Sequence, residues 1–264
     1  MIKLLGIPFD GNSSFLRGPA LAPARIRQME TDGSANVFSE NGNDITRDKS
    51  YTDVGDLAFL DNAPGAIYQT IKERIDQELM PSEKLICLGG DHSVSFPVIE
   101  VHAEKYKDLH VLHLDAHPDL YHNFQDNPFS HASPFARLME KGILKSLTQV
   151  GIRTMNTHQR EQAKRFDVHV LTMQEFNFGF VNILKAPLYI SLDLDVLDPA
   201  FAPGVSHHEP GGLSTRELLS IIQSIPIPIV GADIVEYNPT RDVHNVTAMA
   251  AYKLFKELVS KMIE

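Results

Sequence analysis

Leu109-His110-Val111-Leu112-His113-Leu114 runs directly into Asp115-Ala116-His117-Pro118-Asp119. The first part is mostly apolar and of strand length. The second sets a ligand-type side chain at every other position. Along an extended chain, residues two apart point the same way, so Asp115, His117 and Asp119 can converge on one spot. Apolar runs of similar length recur at Ile2–Ile7, Leu85–Leu88, Leu147–Ile152, Pro187–Leu192 and Ile227–Ile234. Two of these also end in polar clusters: Gly89-Gly90-Asp91-His92-Ser93 follows Lys84–Leu88, and Asp193-Leu194-Asp195 follows Leu188–Leu192. Open α/β sheets bind their ligands outside the carboxyl ends of the strands, and all three clusters fall at that edge.

Helical periodicity fills the gaps between runs. Ile67, Ile71, Ile75 and Leu79 repeat every fourth residue, which predicts a helix from about Ala63 to Leu79 with one apolar stripe. Ser214-Thr215-Arg216-Glu217 has the outline of a capping box before Leu218, Leu219, Ile221 and Ile222. Val246–Ile263 reads as a closing helix whose polar face carries Lys253, Lys256, Glu257 and Lys261. Strand–helix alternation over the whole length argues for an α/β protein: a parallel sheet covered by helices on both faces. No linker, charge run or internal repeat interrupts it, so one domain over residues 1–264 is expected.

Composition narrows the function. The 264 residues carry a formal net charge of -10, which disfavours nucleic acid and anionic membrane surfaces as partners. No segment approaches the ~18 continuous apolar residues of a membrane span. The one cysteine, Cys87, lies in an apolar run and is expected to be buried and inert. With no signal-peptide layout at Met1–Pro8, a cytoplasmic location is the expectation.

The three clusters together supply four carboxylates, Asp115, Asp119, Asp193 and Asp195, and two imidazoles, His92 and His117. Carboxylates gathered at one sheet edge repel one another unless a cation lies among them. Two divalent metals bridged by carboxylate oxygens satisfy that need, and a donor set without thiolate favours Mn²⁺ over a structural Zn²⁺ site. Two such ions can share a water, lower its pKa and present hydroxide at neutral pH. Each element alone has a bland reading. A single Asp-x-His-x-Asp is as readily loop polarity, His113 reads as a core histidine, and His102, His110, His158 and His169 as solvated side chains without partners. His207-His208 is no metal pair, since adjacent residues on an extended loop point apart.

The three clusters, the last read as Ser191-Leu192-Asp193-Leu194-Asp195-Val196-Leu197-Asp198-Pro199, resemble the signature motifs of the ureohydrolases, which include arginases, agmatinases, formimidoylglutamases and guanidino-acid hydrolases. The likeness runs from Asn12-Ser13-Ser14-Phe15-Leu16 to Val246-Thr247-Ala248-Met249. Finer features are most similar to plant-type arginases: Pro118, Ser130-His131-Ala132-Ser133, Ala202-Pro203-Gly204-Val205-Ser206-His207 and Glu236-Tyr237-Asn238-Pro239.

The resemblance implies an arginase-like three-layer α/β/α fold with a central, mostly parallel sheet, and two Mn²⁺ per chain. His92 and Asp119 would hold one ion and His117 and Asp195 the other, with Asp115 and Asp193 bridging. His131 matches the active-site histidine that moves a proton toward the leaving amine, and Glu236 the carboxylate that pairs with a substrate guanidinium. The implied reaction is hydrolysis of a guanidino C–N bond by metal-bridged hydroxide with release of urea, L-arginine to L-ornithine first and agmatine to putrescine as the alternative. Asn127, in the loop before His131, and Asn156, where an acidic residue is expected, are the candidate contacts to the rest of the substrate. Phe129 stands where a polar contact to an α-carboxylate is wanted. The expected partners are a small cationic guanidino substrate and further copies of the chain, as a trimer or hexamer. The full ligand set and His131 speak against a one-zinc deacetylase-like enzyme and against a non-catalytic homologue.

Overall fold

In a computed structural model, residues 1–61 and 63–264 are described. Eight strands, all paired in parallel, form one sheet: β1 (Ile2–Gly6), β2 (Thr52–Asp56), β3 (Lys84–Leu88), β4 (His110–Leu114), β5 (Ser146–Ile152), β6 (His169–Thr172), β7 (Leu188–Asp193) and β8 (Ile229–Val235). Their spatial order is β2-β1-β3-β8-β7-β4-β5-β6. Six of these are the apolar runs of the sequence, each within a residue or two. The other two, β2 and β6, are the edges. β2 reads Thr-Asp-Val-Gly-Asp and is half-buried or exposed throughout, so no apolar run marks it. An edge strand packs only one neighbour and tolerates polar side chains, which also discourage pairing with another chain.

Side chains alternate across the sheet into two cores. Leu4, Ile86, Leu88, Leu112, Leu114, Ile190 and Leu192 face α1 (Ala22–Thr31), α6 (Thr215–Ser224) and α7 (Val246–Ile263). Leu5, Leu85, Cys87, Val111 and Tyr189 face α2 (Pro64–Glu78), α3 (Ser95–Lys105), α4 (Pro134–Lys141) and α5 (Thr157–Arg165). This is the α/β/α layering, with strands buried on both faces. The stripe Ile67, Ile71 and Ile75 is buried on α2, and Ser214 and Glu217 close the capping box of α6. Cys87 is fully buried.

Two expectations need correction. Lys256 and Glu257 are not on a solvated face of α7: they are 4% and 1% exposed. Lys256 Nζ donates to the Asn36 carbonyl at 2.6 Å, and Glu257 accepts from Lys253 Nζ and from the Glu40 amide. The loop over residues 35–43 covers them, and such loop burial leaves no trace in helical periodicity. Three of the four remaining histidines also have partners. His102 is fully buried, with Nδ1 2.8 Å from the Val98 carbonyl and its ring edge-on to Tyr189. His110 meets Ser146 Oγ at 2.7 Å, and His158 stacks on Tyr121. His169 is exposed.

Candidate metal centre and its surroundings

Four neighbouring strands at the middle of the sheet, β3, β8, β7 and β4, bring every motif to one edge. After β3 the chain turns through Gly89 and Gly90. A Cβ on Gly90 would stand 1.8 Å from the Phe9 carbonyl oxygen, so only glycine admits that approach. The approach is used, since the Asp91 amide donates to that same oxygen at 2.9 Å. His92 then opens a single turn of 3-10 helix, His92–Val94. Glu236, just past β8, and Asp119 adopt positive φ of 63° and 49°. Side chains other than glycine rarely adopt that conformation and tend to do so at functional sites.

The six ligand-type side chains meet. Two donor clusters share Asp115: His92, His113, Asp115 and Asp119 on one side, Asp115, His117 and Asp195 on the other, with Asp193 adjoining the first. Asp115 Oδ2 stands 3.2 Å from His92 Nδ1, and its Oδ1 3.4 Å from His117 Nδ1. One carboxylate thus turns an oxygen to each side. Asp193 Oδ2 lies 3.1 Å from His92 Nδ1, and Asp195 Oδ2 lies 2.9 Å from His117 Nδ1.

Hydrogen bonds behind the cluster fix its tautomers. Ser191 Oγ donates to Asp233 Oδ1 at 2.7 Å, so the hydroxyl oxygen accepts from His92 Nε2 at 3.0 Å. His92 therefore carries its proton on Nε2 and presents a lone pair at Nδ1. That Nδ1 is buried and has no hydrogen-bond partner, yet oxygens of Asp115, Asp119 and Asp193 stand 3.2, 3.1 and 3.1 Å from it. A lone pair facing three anionic oxygens is repulsive; a cation among them makes each contact attractive. The carboxylates carry the same strain. Burial, reinforced by the neighbouring Asp115 charge, pushes Asp119 up to about 6, and burial with repulsion from Asp195 and Asp115 pushes Asp193 well above the usual carboxylate range. The residues fit divalent metal, with nitrogen and oxygen donors only.

His113 is buried as expected, but it is more than core filling. Its Nδ1 accepts from Gln149 Nε2 at 3.0 Å, which leaves the proton on Nε2, aimed at Asp115 Oδ2 at 2.7 Å. With both nitrogens engaged it orients Asp115 rather than offering a lone pair.

His131 and Glu236 face each other beside the cluster, with His131 Nδ1 2.8 Å from Glu236 Oε1. The Ser14 amide donates to His131 Nε2 at 3.1 Å, so the ring in its neutral form keeps its proton on Nδ1, toward the carboxylate. Burial alone would lower the His131 pKa, but the Glu236 charge and hydrogen bond outweigh it and push it up to about 9. Glu236 Oε1 also accepts the His92 amide at 2.9 Å, whereas Oε2 makes no hydrogen bond among the described residues. A cavity of about 190 Å³ opens onto these groups, its wall completed by Ser14, Tyr121, Phe124, Thr154, Gln159 and His207.

Asn127 and Asn156 lie outside that wall. Asn127 Oδ1 accepts the Phe129 amide at 2.9 Å and its amide group meets Asn12. Asn156 caps α5, accepting from the Gln159 amide, and donates to Tyr121 Oη at 2.8 Å. Phe129 packs toward Tyr68 in the core beneath α2 and α3 and does not line the cavity. Sequence reasoning missed Ser14, Asp91, Gln149, Ser191 and Asp233. Asp91 anchors the loop over the site by accepting the Asn12 amide at 2.9 Å. Ser191 and Asp233 interrupt otherwise apolar strands, the only signal available.

Comparison with known proteins agrees with this geometry. The model of the arginase family matches residues 1–260. Arginase 1, mitochondrial, of Arabidopsis thaliana is 46% identical over 98% of this chain and 80% of its own length. An agmatinase of Bacillus cereus is 32% identical over 98% and 90%. The arginase from Medicago truncatula superposes with a TM-score of 0.94 at 42% identity, covering 99% of this chain and 87% of that one. These relatives overturn the cytoplasmic expectation. The Arabidopsis and rice enzymes at 44–46% identity are named as mitochondrial or chloroplastic. The signal-peptide pattern sought at Met1–Pro8 concerns secretion and does not distinguish the cytoplasm from an organelle. By family model, sequence and fold, the chain belongs to the arginase family of ureohydrolases.

Proposed function

We propose that the chain hydrolyses L-arginine to L-ornithine and urea with two Mn²⁺ bound. The observation that carries the metal half of this reading is the division of the Asp115 oxygens between His92 and His117, each oxygen facing a different imidazole. On this reading His92 and Asp119 hold one ion, His117 and Asp195 the other, and Asp115 and Asp193 lie between. Bound there, the ions would supply water activation at neutral pH. A nitrogen-and-oxygen donor set without thiolate suits Mn²⁺.

The protein's own groups do the rest. Glu236 Oε2, free of hydrogen bonds, accepts from the substrate guanidinium, whose planar N–H pairs suit a carboxylate. That contact places the guanidino carbon over the cluster. His131 holds a proton on Nδ1 and is kept in register by Ser14. With its pKa pushed up to about 9 the ring carries a second proton near neutral pH, and as an imidazolium it donates one toward the amine as the C–N bond breaks, returning to neutral imidazole, the general-acid role. Tyr121 and Phe124 supply the aromatic part of the cavity wall around the substrate.

Arginine is favoured by the 46% identity to a plant arginase. Agmatine is the second reading, favoured by a cavity wall that holds no lysine or arginine to meet an α-carboxylate. The test is urea release from arginine, agmatine, 4-guanidinobutyrate and free guanidine, side by side with Mn²⁺. We expect arginine to give the highest kcat/KM. A preference for agmatine of about tenfold or more, well within what one hydrogen-bonded polar group can discriminate, would replace the first reading with the second.

A further inference from the structure

Among the polar side chains that wall the cavity, nearly all are already committed. Asp119, Asp193, Asp195 and His117 belong to the metal cluster, and His131, Glu236 and Ser14 bond one another. Tyr121 Oη accepts from Asn156 and Gln159 Oε1 accepts the Asn156 amide in the capping box, bonds that hold both side chains in place but leave the Tyr121 hydroxyl proton and Gln159 Nε2 as further donors. The exceptions are Thr154 and His207, whose side chains make no hydrogen bond among the described residues. His207 is the better placed. Its ring centroid lies 5.5 Å from that of His131 and 6.0 Å from that of His117. Phe15 closes its other side, ring to ring at 5.5 Å.

The chain on both sides of His207 is pinned. Val205 pairs with Tyr237, Ser206 Oγ accepts from Asn238 Nδ2 at 2.9 Å, and His208 bonds the Pro203 carbonyl at 2.8 Å. An unpartnered imidazole on a fixed loop is a preorganised donor that a ligand need not order. The size also matches. Five bonds separate the guanidino carbon of arginine from its Cα, an extended span of about 6 Å. A substrate with its guanidinium on Glu236 and the cluster therefore brings its α-substituents to the depth of His207. The floor of the cavity is acidic and, among the described residues, its wall has no lysine or arginine, so a carboxylate arriving at the level of His207 is met by imidazole, amide and hydroxyl donors.

We propose that His207 donates a ring N–H to the α-carboxylate of the substrate, making it the residue that separates amino-acid guanidines from decarboxylated ones. The inference rests on the reading of an arginine-hydrolysing site. The experiment measures kcat/KM for L-arginine and agmatine on the Mn²⁺-loaded wild type, His207→Ala and His207→Asn. Metal content is determined for each, and L-ornithine and putrescine binding are followed by calorimetry. In His207→Ala the arginine-to-agmatine ratio of kcat/KM falls about 10- to 100-fold, the range of a charged hydrogen bond, through KM more than kcat. Ornithine binding weakens by a similar factor relative to putrescine. His207→Asn, which keeps an N–H donor, recovers part of both. A ratio within about twofold of wild type at full metal content overturns the proposal. Wild-type enzyme that hydrolyses agmatine but not arginine removes the substrate reading instead. His207 is then judged by ornithine binding alone, and equal affinity in wild type and His207→Ala overturns it.

Discussion

Arg153, at the end of β5, holds the turn that carries Asp195, and its removal should damage stability and metal binding together. Its guanidinium reaches five main-chain carbonyls. Nε donates to Glu209 at 2.7 Å, Nη1 to Gly151 and Val196 at 3.3 and 3.2 Å, and Nη2 to Asp195 and Leu197 at 2.5 and 3.3 Å. The Val196 carbonyl also accepts the Leu213 amide at 3.0 Å and would stay satisfied. The two shortest bonds, to Asp195 and Glu209, are the strongest of the set. A hydrogen bond to a charged group contributes about 1.5–3 kcal/mol, so Arg153→Ala costs about 3–6 kcal/mol before water reaches the freed carbonyls. Arg153 is half-buried, and partial hydration brings the expected loss to about 3 kcal/mol. Urea unfolding of the metal-free protein measures it. Arg153→Lys should fall between, since an ammonium is a point donor and cannot span the set. In the same variants the affinity for a second Mn²⁺ should weaken by about tenfold or more, as is usual when a group supporting a metal ligand is lost. A loss in Arg153→Ala below about 1 kcal/mol, the scale of an ordinary surface change, with two ions bound as in wild type, would show that the turn holds itself.

Three further outcomes follow from the same structure. His131→Asn should lower kcat by about 10²–10⁴-fold while metal content stays at the wild-type value; wild-type turnover from pH 7 to 10 would leave His131 no part in proton transfer. Burial pushes His102 down to about 4 from 6.5, so the unfolded chain binds the extra proton first as pH falls. The stability it contributes is therefore full above pH 6.5 and lost on the way to pH 4, about 3 kcal/mol in all. His102→Phe should flatten the stability profile in that window, and an unchanged slope would place the acid sensitivity elsewhere. Gly90→Ala, with its Cβ forced against the Phe9 carbonyl, should destabilise the fold by about 1–3 kcal/mol and displace His92, read as weaker Mn²⁺ binding; a wild-type melting curve would mean the turn can move aside.

How much of this was legible depends on where each residue sits. The six interior strands announce themselves because burial on both faces demands a largely apolar run, as in Leu85–Leu88. β2 and β6 do not, since an edge strand such as Thr52–Asp56 meets no such demand. The ligands were legible because every-other-residue spacing puts Asp115, His117 and Asp119 on one side of an extended segment. The groups that orient them were not. Gln149 and Ser191 are polar residues inside mostly apolar strands, and nothing in the chain says that Gln149 meets His113, 36 positions away. Asn156 stands where the family pattern expects an acidic residue, and its role as the cap of α5 is visible only in the structure. The sequence excludes His207 and His208 as a metal pair because neighbouring residues point apart. They do, and that sends His207 into the cavity while His208 turns to Pro203.

The most direct measurement of the central claim is a Mn²⁺ titration of chelator-stripped protein, with bound metal counted by mass spectrometry and urea release from L-arginine followed at each point. Activity should rise steeply only as the second ion per chain binds. Asp115→Ala, missing the carboxylate that faces both sides, should bind neither ion tightly and release no urea. Full activity at one ion per chain, or an Asp115→Ala variant that still loads two, would contradict the binuclear account.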